Sequence, residues 1–154
     1  MHAPIPKRYF EDFAPGMIFE FGDYVMTEQE IVTFAQAYDP QPYHLRRDPG
    51  PHAAVNELIA SGWHTCAVTM RMMVDHFNPP ETILPAGGVE SLRWLRPVRP
   101  DDRLRVKLTV LETRASTSKP DRGIVKVQVE VFNQRNEAVM TQNVVKLFRR
   151  RTST

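Results

Sequence analysis

The sequence predicts an α+β domain in which an antiparallel sheet packs against one apolar helix. Three observations carry that expectation. Residues 63–77, Trp-His-Thr-Cys-Ala-Val-Thr-Met-Arg-Met-Met-Val-Asp-His-Phe, read as an apolar helix. In 103–110, Leu104, Val106, Leu108 and Val110 alternate with Arg103, Arg105, Lys107 and Thr109. In 123–131, Val125, Val127, Val129 and Val131 alternate with Lys126, Gln128 and Glu130. Alternation with period two marks strands with one apolar face, and such a face must be covered. Helix 63–77 is the only segment large enough to cover it.

The other elements follow in order. Residues 1–8 are proline-rich and read as an extended arm, and 17–26 carry β-favouring residues after a Pro15-Gly16 turn. Thr27 followed by Glu30 is a capping-box pattern, with Ile31, Phe34, Ala35 and Tyr38 then at helical spacing. A helix is therefore expected from near Glu28 to Asp39, because Pro40 disfavours helical geometry in the residue before it. Residues 39–53 read as a loop, with prolines at 40, 42, 49 and 51. Ser61-Gly62 precede the helix at 63–77, whose apolar residues cover more than one stripe and so predict burial on most sides. Pro79-Pro80 stops it. A strand over 89–96 ends at Pro97, and Pro100-Asp101-Asp102 supplies a turn before 103–110. Asn133-Gln134-Arg135-Asn136 is turn chemistry before a last strand at about 138–148. No repeat or second domain is visible, so 1–154 is expected to be one domain.

Composition narrows the function classes. With 154 residues, 42% hydrophobic and 25% charged, the chain can bury a core without disulfides or metal. Its one cysteine, Cys66, excludes an intrachain disulfide and a cysteine-based metal site. The net charge of +2 is too slight to indicate nucleic-acid binding, and no aromatic-and-basic motif strengthens it. A mild basic excess does suit an anionic substrate. The first residues lack the apolar run of a signal peptide, and no stretch approaches the roughly 20 apolar residues a membrane helix needs. A cytoplasmic protein is the expectation.

Chemistry is most plausible in Tyr38-Asp39-Pro40-Gln41-Pro42-Tyr43-His44, where a carboxylate and an imidazole five residues apart flank a proline-stiffened loop. Such a pair can hold a water, the carboxylate taking its proton and the imidazole orienting it. The plainer alternative is that Asp39 closes the helix and His44 is an ordinary loop histidine. At Ser61-Gly62, a glycine admits close approach of a carbonyl oxygen and a helix N-terminus offers unpaired N–H groups, which suits an oxyanion. An N-cap serine followed by a packing glycine explains the same residues. Arg93, Arg96, Arg99, Arg103 and Arg105, with Arg149-Arg150-Arg151, can meet phosphates or form a solvated strand face and a loose tail. Met70, Met72, Met73 and Phe77 fit an acyl tunnel or a core. His64 and His76 read as core or surface histidines. No Gly-rich phosphate loop, serine nucleophile elbow or His-rich metal motif is present.

Taken together, these segments resemble the MaoC-like dehydratase and (R)-specific enoyl-CoA hydratase family. The resemblance runs from Phe10-Glu11-Asp12-Phe13 to the final strand and is most specific over Phe34-Ala35 and Tyr38 to Leu45. It implies a hot-dog fold, a curved antiparallel sheet wrapped around a central helix. It also implies water addition to a trans-2-enoyl-CoA, with Asp39 as general base, His44 holding the water and Gly62 as oxyanion donor. Tyr43, Ser61, Trp63, Arg93 and Arg96 are the implied substrate-binding residues. No metal or cofactor is implied, coenzyme A being part of the substrate. A homodimer or higher homo-oligomer is the implied assembly. The chain departs from the family pattern at Met70, where some members carry serine, and at Arg46, where many carry an acid. Two rivals remain: a hot-dog acyl-CoA thioesterase, for which Asp75 is the only carboxylate on the long helix, and a non-catalytic acyl-CoA-binding protein.

Overall fold

The computed structural model describes residues 2–152, so both ends of the expected 1–154 unit lie just outside the described residues. A 3-10 turn at Phe10–Asp12 leads into β1 (Ile18–Val25), α1 (Glu28–Tyr38), a one-turn α2 (Pro42–Leu45) and α3 (Gly62–His76). Four strands follow: β2 (Ile83–Trp94), β3 (Arg103–Ala115), β4 (Arg122–Phe132) and β5 (Ala138–Arg149). They form one sheet in the order β1-β3-β4-β5-β2, with every neighbouring pair antiparallel. β1 and β2 are its edges.

The alternation seen in the sequence sets the core. Leu104, Val106, Leu108 and Val110 of β3 and Val125, Val127, Val129 and Val131 of β4 are buried, and they share one core with Val68, Met72 and Met73 of α3 and the following Phe77. Gly22 lets α3 come close: its φ of 92° lies at the β1 irregularity between Phe21 and Tyr24, and a side chain there would strike Met72.

α1 begins where the capping pattern places it. Thr27 Oγ1 accepts the Glu30 N–H, but the Glu30 carboxylate takes the Tyr24 hydroxyl instead of closing the box. The proline-rich arm is not free. Thr82 Oγ1 donates to the Arg8 carbonyl, and the Arg8 guanidinium lies over the Phe19 ring.

Three expectations need correction. The stretch after Asp39 is not all loop, since Pro42–Leu45 make a helical turn with Pro42 in its first turn, where a missing N–H costs nothing. β2 starts at Ile83, well before residue 89, because an edge strand tolerates Pro85, Gly87 and Gly88 through irregularities in its pairing with β5. And α3 is buried along one stripe only: His64, Thr65, Val68, Thr69, Met72 and Met73 are inside, while Trp63, Met70 and Val74 are exposed. Apolar content announced burial, but among the described residues that outer side stays largely open, with Trp63 meeting only the edge of Trp94. Among the described residues no helix is long and apolar enough to cross a membrane.

Candidate active site

Asp39 ends α1. Its N–H still bonds the Ala35 carbonyl at 2.9 Å, while its own φ of −152° turns the chain out of the helix ahead of Pro40. The helical turn of α2 then returns His44 to it. His44 Nε2 lies 3.3 Å from Asp39 Oδ2, and His44 Nδ1 lies 2.7 Å from the Ile59 carbonyl oxygen. A carbonyl only accepts, so Nδ1 carries the proton and donates. In the neutral imidazole, Nε2 therefore presents a lone pair toward the carboxylate. The 3.3 Å gap leaves no room for a third atom between the two acceptors, but a water seated beside the pair can donate one hydrogen to each.

The carboxylate is oriented by two further groups. Gln41 Nε2 donates to Asp39 Oδ1 at 2.6 Å, and Ser61 Oγ donates to Asp39 Oδ2 at 2.7 Å. Partial burial pushes the Asp39 carboxyl up, but the Gln41 and Ser61 hydrogen bonds, joined by positive charge on His44 whenever its ring is protonated, hold it below the usual carboxylate range. The base is thus kept ionised. Tyr43 extends the chain outward, its hydroxyl donating to Gln41 Oε1 and its ring standing edge-on to His44 at 4.6 Å. Gln41 is the residue that sequence reasoning missed, since no spacing marks a side chain that turns back on Asp39.

Ser61 is completely buried and caps α3, its Oγ also accepting the Trp63 N–H at 3.3 Å. Its capping role and its bond to Asp39 are therefore one arrangement. Gly62 opens α3, and its N–H has no hydrogen-bond partner among the described residues. A cleft of about 280 Å³ brings His44 and Gly62 together with Thr65, Trp94, Arg96 and Val139. Trp94 Nε1 donates to the Gly62 carbonyl at 3.0 Å, and a side chain at position 62 would run into the indole. Glycine is required here by close packing, while its N–H is unpaired because it belongs to the first turn of α3.

Other expected binding residues are scattered. Arg96 lines the cleft, whereas Arg93 is exposed on β2 and does not reach it. Trp63 is exposed and meets Trp94 edge-on at 5.2 Å. It lines a separate apolar groove of about 500 Å³ with Met70, Met73, Val89 and Leu92, while Met72 and Phe77 belong to the core. Arg103 pairs with Asp23, Arg150 with Glu11 and Arg151 with Asp12, so these guanidinium groups brace the surface and the tail is held against the fold. His64 stacks on Phe34 at 4.8 Å with its Nδ1 buried and unpartnered, and burial pushes it down from its ordinary range. Asp75 pairs with Arg71 at 2.8 Å at the far end of α3, outside both the cleft and the groove. No cluster of three or more histidine, cysteine or acidic side chains is arranged to hold a metal among the described residues.

Comparison with known proteins places these features in context. The model of the MaoC like domain matches residues 12–133. A MaoC-like dehydratase from Rhodospirillum rubrum is 37% identical and superposes with a TM-score of 0.87, covering 96% of this chain and 100% of that one. The unliganded R-hydratase PhaJ1 from Pseudomonas aeruginosa is 26% identical with a TM-score of 0.72, covering 93% and 86% of the two chains. Bacillus subtilis YdeM, an uncharacterized protein, is 24% identical over 140 residues, 91% of this chain and 98% of its own length. The fold shared with these structures is the hot-dog fold.

Proposed function

Because this chain belongs to the MaoC-like domain family, we propose that it adds water reversibly to a trans-2-enoyl-CoA to give an (R)-3-hydroxyacyl-CoA. The observation that carries the reading is the Asp39–His44 pair, with Nε2 and Oδ2 at 3.3 Å and Nδ1 anchored on Ile59. A water seated beside the pair, within reach of both atoms, donates one hydrogen to each group. Asp39 takes the proton as the water oxygen bonds C3 of the enoyl group, and the C2–C3 electron pair moves toward the thioester. Negative charge then develops on the thioester oxygen, where the Gly62 N–H and the α3 N-terminus oppose it. The proton held by Asp39 passes to C2 on the same face, so the step is redox-neutral and restores the carboxylate. General-base assistance contributes about 10²–10⁴-fold, and one oxyanion donor a similar order.

The apolar groove along Trp63, Met70 and Met73 is the proposed acyl-chain path. The exposed apolar residues Trp63, Met70 and Val74 of α3 and Val89 and Trp94 of the edge strand β2 are the proposed homodimer surface. Against the thioesterase, Asp75 is engaged by Arg71 at the opposite end of α3 from Gly62, whereas Asp39 touches His44, which lines the cleft. Against a binding-only protein stands the oriented base, since mere binding does not need Gln41 and Ser61 fixed on Asp39. The test is incubation with a panel of trans-2-enoyl-CoAs, following loss of the conjugated-thioester absorbance. Release of free coenzyme A with the conjugation intact overturns the proposal.

A further inference from the structure

We propose that Arg96, Arg99 and Arg135 form an anion subsite next to the His44 cleft, which takes the phosphorylated nucleotide end of a coenzyme A thioester. This rests on the hydratase reading and adds to it the residues that hold the nucleotide end of the carrier. The first observation is continuity. Arg96 and Pro97 line both the His44 cleft and a neighbouring one of about 380 Å³, whose other walls are Arg99, Asn133, Arg135 and Glu137. Arg96 therefore stands at the border between the Gly62 N–H and the neighbouring cleft.

The second observation is charge. Three guanidinium groups share the neighbouring cleft with one carboxylate. Glu137 receives Arg135 Nε at 2.6 Å and lies 3.4 Å from Arg96 Nε, so it sets the two side by side without neutralising both. Arg99 spends Nε and one terminal nitrogen on Glu57 at 2.8 and 2.9 Å. Among the described residues, one terminal nitrogen on Arg96, one on Arg99 and two on Arg135 remain without a partner. Guanidinium groups held on one edge and free on the other are prepared to fork onto phosphate oxygens.

The third observation is rigidity. Asn133 is 2% exposed, and its Oδ1 accepts the N–H groups of Arg135 and Glu137 at 3.0 and 3.1 Å. Its Nδ2 donates to Glu137 at 3.1 Å, so the β4–β5 turn that carries Arg135 is braced from within. A carrier protein's prosthetic arm offers a single phosphodiester. Coenzyme A offers a diphosphate and a 3′-phosphate, a better match for three guanidinium groups.

The experiment compares crotonyl-CoA with crotonyl-pantetheine, which has the same reacting group and no nucleotide. Arg135→Ala and Arg99→Ala should each raise KM for the CoA ester about fivefold, the upper range for an exposed charged pair, and leave the pantetheine ester unchanged. Arg135→Lys should recover most of the loss, and added salt should raise KM for the CoA ester alone. Equal effects on both esters, or none on the CoA ester, overturn the subsite. Calorimetry with adenosine 3′,5′-bisphosphate separates the two proposals. Binding that Arg135→Ala weakens by about the same fivefold supports the subsite even in a protein that hydrates nothing. A parent that hydrates both esters with one KM keeps the hydratase reading and ends this one.

Discussion

Ser61 Oγ donates to Asp39 Oδ2 across 2.7 Å, which ties the N-cap of α3 to the last residue of α1's turn. The same hydroxyl accepts the Trp63 N–H, so one buried atom serves both the helix and the base. Ser61→Ala should therefore do two separable things. It should cost about 1 kcal/mol of stability through the lost cap. It should also remove a donor that lowers the Asp39 pKa, so the carboxyl titrates higher and the acid limb of the kcat/KM profile moves to higher pH. Ser61→Thr should restore both. An unmoved acid limb alongside lost stability would leave Ser61 as a cap and nothing more.

The paired geometry of Asp39 and His44 predicts strongly non-additive kinetics. Asp39→Asn keeps the shape and removes the base, so kcat should fall by about 10²–10⁴-fold with substrate affinity largely kept. His44→Ala should fall comparably. Since one water serves both groups, the double variant should lose far less than the product of the two losses. Circular dichroism should show all three folded. Full multiplication of the two losses would mean that the residues act in separate steps.

Much of this arrangement was legible in the sequence, for identifiable reasons. Thr27 and the 3.6-residue spacing placed α1, and the valine alternation placed β3 and β4, because both signals are local and repeat. The short turn carrying His44 was not legible, since four residues between Gln41 and Arg46 hold no period. Gln41 escaped because its importance lies in a side chain turned back on Asp39, not in any pattern. The exposed outer side of α3 escaped for another reason. Periodicity tells which residues are apolar, but which side finds a partner is decided by the folded chain, which leaves Trp63, Met70 and Val74 exposed. Arg103 and Asp23 pair across a separation of 80 residues, and no local signal encodes that.

Gly62 predicts a steric cycle. Gly62→Ala forces its new methyl group into the Trp94 indole, which must shift and give up its bond to the Gly62 carbonyl. Overpacking of this kind costs about 1–3 kcal/mol. Trp94→Leu in the same chain removes the obstacle. The double variant should then be more stable than the sum of the single effects allows, as read from urea midpoints with unchanged m-values. Simple additivity would show that the indole is not what excludes a side chain at position 62.

Lys146 predicts an unusual pH dependence of stability. Its side chain points into the protein at the end of α3, 3% exposed, with Nζ 3.0 Å from Asn78 Oδ1 and 5.6 Å from the centre of the Phe77 ring. Burial alone pushes its ammonium down from 10.5 to about 8. Below that value Lys146 is charged in both the folded and unfolded chains, and the folded state bears the cost of desolvating the charge. Between about 8 and 10.5 the folded chain has released the proton while the unfolded chain still binds it. Stability follows the protons bound in the unfolded state minus those in the folded state, so this group makes it rise with pH across that window. The full rise is on the order of 3 kcal/mol. Other groups titrate there as well, so the quantity to measure is the difference between the parent and Lys146→Met in urea unfolding at pH 7, 8, 9 and 10. That difference should be flat up to about pH 8 and then climb in favour of the parent. A difference that stays level throughout would mean that Lys146 keeps its ordinary affinity for the proton, and that the Asn78 oxygen and the Phe77 ring solvate the buried ammonium as well as water does.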